Sequence, residues 1–349
     1  MKVALLTIWH EKNYGAELQA YATIKILQKL GHEVKMIDIR LSDVSQTNIK
    51  GKVGNFISKF GPSQHKFERF WKKYIPVTQR YKSLEELQKN PPKADIYMVG
   101  SDQVWNPDIV KNFTRVYFLD FGDNKVKRVS YASSFGVSKW THKEMIEEVK
   151  KLLNKFSYIS CREYSGVKIL DDLFGFKTTH VLDPTILLAD FSDLINSTKE
   201  KNTLVYYPLF DIPNLDIYVK RLGQNMGLNV INANWNKKLF GAIIWDRNSL
   251  EGWIRDIAEA KFVITPSFHG VAMSIVHHRN FAVLVAQKDR STRIVCLLSQ
   301  LGLQDRIFYS IEELNEAKPW EQYIDYTTID KKLIILRKQS TDYLIKSLS

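Results

Sequence analysis

A serine and a histidine two positions apart lie where a predicted strand gives way to a predicted helix. Phe262 to Thr265 is a short β-prone run, and a Pro-Ser pair ends it. The apolar spacing that begins at His269 and Gly270 predicts a buried helix, for which Ser267 is a suitable N-cap. Backbone N–H groups at such a helix end bind anions, and a histidine there can donate a proton. Taken alone, a capping serine beside a histidine that satisfies a carbonyl is the simpler interpretation.

Polar side chains also follow two other predicted strands. Asn13, Tyr14 and Gly15 open the first helix, and ligands of open α/β sheets bind beyond such strand ends. Neither GxGxxG nor GxxxxGK[ST] occurs at this junction, which disfavours dinucleotide and P-loop sites. The run after Ile96 to Val99 offers groups that hold sugar hydroxyls and stack on sugar rings, namely Ser101, Asp102, Gln103 and Trp105. A turn in which Asp102 caps the next helix is the alternative.

Three arginines are candidate anchors for an anion. Arg162 follows another predicted strand and opens a helix, where it can grip a carboxylate or phosphate with two parallel hydrogen bonds. An ion pair with Glu163 or a neighbouring acid is as consistent with the sequence. Arg290 and Arg293 come just after the predicted strand Phe281 to Ala286 and can serve the same site or remain solvated. Asp183 closes a further strand, either as a supporting carboxylate or as a turn residue.

Composition limits the class of protein. The chain has 349 residues, 44% of them hydrophobic and 25% charged, which is typical of a globular protein long enough for two domains. Its net charge of +12 favours anionic partners without choosing among phosphorylated metabolites, nucleic acid and membrane surfaces. The two cysteines, Cys161 and Cys296, form no CxxC pair, so neither a zinc site nor a disulfide framework is indicated. The first residues show no signal peptide and no run is long enough to span a membrane, which predicts a cytoplasmic protein.

Strands and helices alternate along the whole chain. The continuous apolar strand Val3 to Ile8 is typical of the centre of a parallel sheet, and later strands each precede a helical pattern. We therefore predict two α/β domains. The N-terminal domain covers residues 1–190 and the C-terminal domain covers 203–325. A final helix over 328–349 is predicted to pack back on the first domain.

An insertion over residues 50–82 differs from its surroundings. It holds nine basic residues and one acidic residue, Glu68, interleaved with seven aromatic residues: Phe56, Phe60, Phe67, Phe70, Trp71, Tyr74 and Tyr81. Such a mixture suits an anionic membrane surface or a nucleic acid backbone. An amphipathic helical segment that packs its aromatic residues on the domain and solvates its lysines is an equally good interpretation.

Six short motifs occur in a fixed order along the chain. They are N-Y-G-A-x-L-Q-A from Asn13, G-S-D-Q-x-W-N-P from Gly100, Y-A-S-S-F-G from Tyr131, C-R-E-Y-S from Cys161, L-D-P-T from Leu182 and S-F-H-G from Ser267. In this order they resemble the polysaccharide pyruvyl transferase family, over about residues 10 to 300. The resemblance implies two Rossmann-like domains similar to B-type glycosyltransferases, with the ligand in an interdomain cleft.

The resemblance also implies an activity. Phosphoenolpyruvate is the expected donor, used as a co-substrate without another cofactor. The expected acceptor is a sugar of a surface polysaccharide or its lipid-linked precursor, and the product is a pyruvate ketal. No D-x-D triplet occurs, so metal independence is predicted. Nucleic acid is not an expected partner, whereas peripheral contact with an anionic membrane at the inner face is.

Roles for individual residues follow from that chemistry. Protonation of the methylene carbon of phosphoenolpyruvate needs an acid, its anionic groups need anchors, and the attacking hydroxyl needs a base. We expect His269 to be the acid and Asp102 to be the base or a sugar ligand. The expected donor-binding residues are Arg162, Ser267, Phe268, Gly270, Arg290 and Arg293. The expected acceptor-binding residues are Asn13, Tyr14, Gly15, Ser101, Gln103 and Trp105.

One position departs from the family pattern. Some relatives carry Arg-Leu-His where this chain has Ser267, Phe268 and His269, so Arg290 or Arg293 is expected to supply the missing cation, or donor binding here differs. Two other functions are consistent with the sequence. One is a B-type glycosyltransferase that uses a nucleotide sugar, and the other is a carbohydrate-binding protein without catalysis.

Overall fold

The computed structural model describes residues 1–43, 62–196, 199–209, 212–234, 237–239, 242–244, 248–285 and 291–349. These residues form two compact units. The first contains the described residues of 1–43, 69–188 and 335–349, and the second contains 62–68 and the described residues of 189–334. Each unit has its own parallel sheet.

The first unit is built on seven strands. They are β1 (Lys2–Leu6), β2 (Glu33–Asp38), β3 (Val77–Arg80), β4 (Ile96–Val99), β5 (Lys127–Ser130), β6 (Ser160–Cys161) and β7 (Thr179–His180). The first five form a parallel sheet in the order β3-β2-β1-β4-β5, and β6 pairs with β7. The order reverses between β1 and β4, the point at which open α/β sheets bind ligands.

Eight helices begin in the described residues before position 189. They are α1 (Tyr14–Lys29), α2 (Pro62–Tyr74), α3 (Leu84–Lys89), α4 (Pro107–Val110), α5 (Thr114–Tyr117), α6 (Ile146–Leu153), α7 (Tyr164–Lys168) and α8 (Pro184–Leu188). A π-helical turn, Ile169–Phe174, continues α7. Short 3-10 turns cover Leu41–Asp43, Lys111–Phe113 and Lys143–Met145.

The second unit repeats the same kind of architecture. Its strands are β8 (Thr203–Tyr206), β9 (Asn229–Asn232), β10 (Lys237–Leu239), β11 (Ala242–Ile244), β12 (Phe262–Ile264), β13 (Asn280–Leu284) and β14 (Ile307–Phe308). A parallel sheet runs in the order β14-β13-β12-β8-β9, and β10 and β11 form an antiparallel pair. The helices are α9 (Leu215–Met226), α10 (Leu250–Ala258), α11 (Phe268–Val276), α12 (Thr292–Leu301), α13 (Ile311–Ala317) and α14 (Tyr326–Leu348). Two 3-10 turns cover Gln304–Arg306 and Pro319–Glu321.

The predicted α/β class with two Rossmann-like domains is confirmed, and some strand and helix ends differ from the prediction. The first strand ends at Leu6 because Thr7 turns its hydroxyl to the carbonyl of Ser101, at 2.6 Å. The first helix begins at Tyr14, and the side chain of its N-cap, Asn13, accepts a hydrogen bond from Gly15 N at 3.0 Å.

The last helix, α14, contributes its C-terminal half to the first unit. Leu182 N donates to Ser340 Oγ at 2.9 Å, and Tyr343 Oη donates to the carbonyl of Ser130 at the same distance. Ser130 is the last residue of β5, and Leu182 lies two residues after β7. This half of the helix therefore contacts the chain close to the polar motifs that begin at Tyr131 and Leu182.

The aromatic residues of the 50–82 insertion that are described pack inward. Residues 44–61, which include Phe56 and Phe60, lie outside the described residues. Phe70 contacts Tyr21 with ring centroids 5.9 Å apart, and Trp71 is 5% exposed. This arrangement fits the alternative in which an amphipathic helical segment packs its aromatic residues on the domain, because these rings contribute to the hydrophobic core. No helix in the described part of the chain is both long and apolar enough to span a membrane.

Candidate functional site

Asp183 is the centre of a buried polar cluster at the carboxyl edge of the first sheet. Its Oδ2 accepts from Ser101 Oγ at 2.8 Å and from Arg162 Nη1 at 2.6 Å. Its Oδ1 accepts from Thr185 through the backbone N–H at 3.0 Å and through the hydroxyl at 2.6 Å. Four donors thus satisfy one carboxylate, as a buried charge requires. The cluster joins the loops after β4, β6 and β7.

Asp102 stands at the accessible end of this cluster. Its Oδ1 lies 3.2 Å from Arg162 Nη2 and accepts from Gln103 N at 2.9 Å. The side chain retains 14% exposure, and its backbone has φ of 75°, a left-handed conformation that is unusual outside glycine. The surrounding contacts hold a strained residue with its carboxylate at the surface of the site. Such a carboxylate can accept a proton or bind a hydroxyl.

The structure gives Arg162 a different role from the predicted one. Its side chain is fully buried, and its guanidinium contacts Asp183, Ser101 and Asp102. Burial opposes the charge, but the nearby carboxylates raise the pKa of Arg162 above its usual value. It is therefore a permanently charged link between loops. A direct grip on a donor anion would require it to leave these partners.

Glu163, beside Arg162, organises a neighbouring turn. Its Oε1 accepts from the backbone N–H of Phe135 at 3.0 Å. Gly136, the next residue, has φ of 68°, and a Cβ there would come within 2.0 Å of Gln103. The Y-A-S-S-F-G motif therefore closes tightly against the G-S-D-Q motif. The two motifs fix each other's backbone.

Trp105 does not have the predicted exposed face. It is 0% exposed, its indole N–H donates to the carbonyl of Tyr117 at 3.2 Å, and its ring stacks on Phe118. A ring in the core cannot stack on a sugar, so this acceptor assignment is wrong. Tyr14 and Ser101 are also fully buried. Among the predicted acceptor residues, Asn13 is exposed and Gln103 is half-buried, whereas Gly15 is buried in the first turn of α1.

The loop between β1 and α1 is fixed by groups that the sequence did not single out. Gln19 Nε2 donates to Thr7 Oγ1 and to the carbonyl of Ile8, at 3.0 and 2.9 Å. Glu17 Oε1 accepts from the backbone N–H of Glu11 at 3.1 Å, and its Oε2 accepts from Trp71 Nε1 at 2.6 Å. Burial raises the pKa of Glu17 to about 8, although these hydrogen bonds oppose the shift. Both residues lie within the first motif, N-Y-G-A-x-L-Q-A, in which Gln19 is specified and Glu17 stands at the x position. That motif is the sequence feature that could have drawn attention to them.

The second unit presents a capped helix end at the carboxyl edge of its sheet. Ser267 is the N-cap of α11, and its hydroxyl accepts from Gly270 N at 3.3 Å. Ser267 N in turn donates to Thr265 Oγ1 at 3.0 Å. The first intrahelical bond runs from Val271 N to the carbonyl of Ser267. The N–H groups of Phe268 and His269 therefore have no carbonyl within the helix, as expected for a first turn.

Close packing fixes this helix end. A Cβ on Gly270 would come within 2.7 Å of Thr265 Oγ1, so only glycine lets the first turn approach the strand end. Thr265 also donates to the carbonyl of Tyr207, which follows β8, at 3.2 Å. His269 lies in the first turn and is 7% exposed. The serine, the histidine and the glycine of the motif are thus brought together as predicted.

Of the two further candidate arginines, one lies within the described residues and the other does not. Arg293 lies in the first turn of α12 and is half-buried. Arg290 lies outside the described residues. Within the described ranges, no group of three or more His, Cys, Asp or Glu side chains is placed to hold a metal ion.

Comparison with known families agrees with the motif order. The family model of the polysaccharide pyruvyl transferases matches residues 13–287. That range covers both the Asp183 cluster and the α11 helix end. No curated protein sequence matches this chain.

Solved structures share the fold at low sequence identity. UDP-GlcNAc 2-epimerase from Neisseria meningitidis, bound to UDP-GlcNAc, is 11% identical, with a TM-score of 0.55 over 100% of this chain and 99% of that one. The corresponding epimerase of Methanocaldococcus jannaschii is 10% identical, with a TM-score of 0.53 over 96% and 99%. An α-glucosyltransferase in complex with UDP-glucose and DNA is 9% identical, with a TM-score of 0.51 over 99% and 95%. These likenesses show a GT-B-type fold.

Proposed function

Because the chain belongs to the polysaccharide pyruvyl transferase family, we propose that it transfers a pyruvyl group from phosphoenolpyruvate to two hydroxyls of a sugar. The sugar is part of a surface polysaccharide or its lipid-linked precursor, and the product is a cyclic pyruvate ketal. The observation that carries the proposal is the capped end of α11, where first-turn N–H groups and His269 occur together. Such an end suits the phosphate of the donor, since its N–H groups and helix dipole both favour an anion.

The reaction requires one proton to be delivered and two to be removed. Protonation of the methylene carbon uses the two π electrons for the new C–H bond and leaves the adjacent carbon electron-deficient. A sugar hydroxyl adds to that carbon and loses its proton. The carbon–oxygen bond to phosphate then breaks, phosphate leaves with the electron pair, and a second hydroxyl closes the ketal with loss of its own proton. We assign the first proton to His269.

Asp102 is the proposed base or sugar ligand. Its carboxylate is held by Arg162 and Gln103 and remains partly exposed. Arg162 then acts by orienting Asp102, and Arg293 is a proposed cation for the donor. Asn13 and Gln103 are the proposed polar contacts of the acceptor. This division of roles places acid chemistry on the second unit and acceptor recognition on the first.

The proposal includes no metal ion. The helix end and Arg293 are expected to supply the positive charge that a metal supplies in many transferases. Phosphate release from phosphoenolpyruvate should therefore continue after extensive treatment with EDTA. Loss of turnover that returns with Mg²⁺ or Mn²⁺ would refute this part of the proposal.

Membrane contact is proposed to be electrostatic, on a cytoplasmic protein. The exposed face of α2 carries Arg69, Lys72 and Lys73, whereas Phe67, Phe70 and Trp71 are buried. The protein should sediment with vesicles that contain anionic phospholipid at low ionic strength and dissociate as salt is raised. Absence of binding at low ionic strength would refute it.

The test of the activity is phosphate release from phosphoenolpyruvate in the presence and absence of a lipid-linked saccharide fraction. We expect release that depends on the saccharide and on His269. If UDP stabilises the protein and phosphoenolpyruvate does not, a nucleotide-sugar glycosyltransferase becomes the better assignment. If sugar binds and neither donor does, the chain is a carbohydrate-binding protein.

A further inference from the structure

Most aromatic rings beside the first sheet's carboxyl edge are unavailable to a ligand. Trp105, Tyr131 and Phe135 are each at most 1% exposed. Tyr164 differs, because 54% of its surface is exposed. It is the first residue of α7 and follows Arg162 and Glu163 directly.

The ring of Tyr164 is held in place by His180. The two rings stack with centroids 4.2 Å apart and planes inclined by 16°. His180 Nε2 lies 3.2 Å from the carbonyl of Arg162, so this nitrogen carries the hydrogen and donates it. Burial lowers the pKa of His180, which favours the neutral ring. A neutral imidazole with a fixed tautomer is thus anchored to the backbone beside Tyr164.

This arrangement leaves one side of the phenol ring for a ligand. Since His180 covers one face, the exposed surface of Tyr164 belongs to the opposite face and the rim. Arg162 connects this position to the catalytic candidate, because its backbone anchors His180 and its guanidinium contacts Asp102 at 3.2 Å. An aromatic face and a carboxylate therefore lie on the same edge of one unit.

We propose that Tyr164 is the platform on which a pyranose ring of the acceptor stacks, a role that rests on the proposed function. The apolar C–H face of a pyranose packs on an aromatic ring, and the phenol hydroxyl can hydrogen-bond a sugar hydroxyl. The stack on His180 orders the ring before binding, which reduces the entropy lost when the sugar binds. Tyr164 takes the place that the sequence suggested for Trp105.

Galactose is a suitable probe because its C3, C4 and C5 hydrogens project from one face. Binding of methyl β-D-galactopyranoside can be followed by saturation-transfer-difference NMR on the full-length protein. We expect the strongest transfer to H3, H4 and H5. Tyr164→Ala should weaken binding by about tenfold, in keeping with one aromatic stacking contact. Tyr164→Phe, which keeps the ring, should bind within about threefold of the wild type.

Two further variants separate stacking from general damage. His180→Ala should weaken binding less than Tyr164→Ala, because it removes the support of the ring and not the ring itself. Tyr323→Ala removes a tyrosine that is 79% exposed in the second unit and should change nothing. Wild-type affinity in Tyr164→Ala, or no saturation transfer to the galactoside from the wild type, would overturn the proposal.

The same samples keep this inference separate from the activity. Thermal stabilisation by phosphoenolpyruvate is measured on each variant. If phosphoenolpyruvate stabilises the wild type but Tyr164→Ala binds the galactoside as tightly as the wild type does, only the stacking role of Tyr164 is refuted. If phosphoenolpyruvate has no effect on the wild type, the proposed donor fails whatever the sugar result.

Discussion

The polar groups at the carboxyl edges of the two sheets have different roles. In the first unit, Asp183, Arg162 and Ser101 are buried and bonded to one another. In the second unit, the edge presents a capped helix end with His269 in its first turn. The first arrangement uses its charges to hold backbone loops in position. The second offers backbone N–H groups and a titratable ring, which suit an incoming anion. An arginine that is buried among carboxylates is therefore weaker evidence for an anion-binding site than the N-terminal end of a helix, although that helix end carries no formal charge.

The largest expected effect is on catalysis at the second edge. His269→Ala should lower the rate of phosphate release from phosphoenolpyruvate by about a thousandfold, the usual contribution of a positioned acid. The matched control is His65→Ala, since His65 is largely exposed on α2. If His269→Ala kept wild-type turnover, His269 would not be the acid. The proposed catalytic role of the second sheet edge would then be refuted.

The first edge should instead lose stability. Asp183→Ala leaves the guanidinium of Arg162 buried without its shortest contact, at 2.6 Å. Breaking one partner of a buried pair costs about 3–5 kcal/mol in the free energy of unfolding. Asp342→Ala, which removes an exposed pair with Lys338 on α14, should cost less than about 0.5 kcal/mol. Urea unfolding measures both, and equal losses would contradict the structural role of the cluster.

A pH dependence tests another buried carboxyl group of the first unit. Glu17 has a folded pKa of about 8, above its value in the unfolded chain. A raised acid pKa stabilises the fold at low pH, and this contribution is lost as pH rises through the folded pKa. Between pH 5.5 and 8.5 the wild type should lose roughly 2–3 kcal/mol relative to Glu17→Gln, which does not ionise.

The control for this experiment is internal. Glu17→Gln also sets its amide NH2 against one of the two donors to Glu17, which are Trp71 Nε1 and the backbone N–H of Glu11, because a glutamine amide has a single acceptor oxygen. That repulsion does not change with pH, so only the pH-dependent part of the difference reports ionisation. A constant difference between the two proteins across this range would show that Glu17 does not titrate there.

The smallest expected effect separates capping from binding. Ser267 and Ser249 are both N-cap serines, accepting from Gly270 N and Gly252 N at 3.3 and 3.0 Å. Either serine-to-alanine change should cost about 1 kcal/mol of stability. Ser267→Ala alone should also weaken phosphoenolpyruvate binding, by several fold. Titration calorimetry of both variants checks this, and equal affinities would argue against the α11 end as the phosphate site.

Much of the fold could be predicted from the sequence because the patterns that indicate strands and helices lie in short, continuous segments. The continuous apolar strand near the N-terminus and the regular alternation with helices predicted parallel sheets. The candidate site residues were selected because their motifs follow predicted strands, and the carboxyl ends of parallel strands meet at one edge. Ser267 could be predicted as the N-cap of α11 from the neighbouring residues alone, because its cap hydrogen bond comes from the residue three positions later.

What could not be predicted depends on contacts distant in sequence. The partners of Arg162 lie 21 and 61 positions away, at Asp183 and Ser101. Glu17 and Trp71 are 54 positions apart. The burial of Trp105 depends on which way a turn directs its ring, and residue type does not show this. Tyr164 was overlooked for the complementary reason, since only the structure shows its exposure and its stack on His180.

The most direct test of the account is the thermal unfolding midpoint of the wild type with phosphoenolpyruvate and, separately, with UDP. A ligand that binds only the folded state raises the midpoint by an amount that grows with the logarithm of its concentration above the Kd. We predict a rise of a few degrees with saturating phosphoenolpyruvate, reduced in Ser267→Ala, and no rise with UDP. Stabilisation by UDP without stabilisation by phosphoenolpyruvate would contradict the assignment of the α11 end as a phosphoenolpyruvate site.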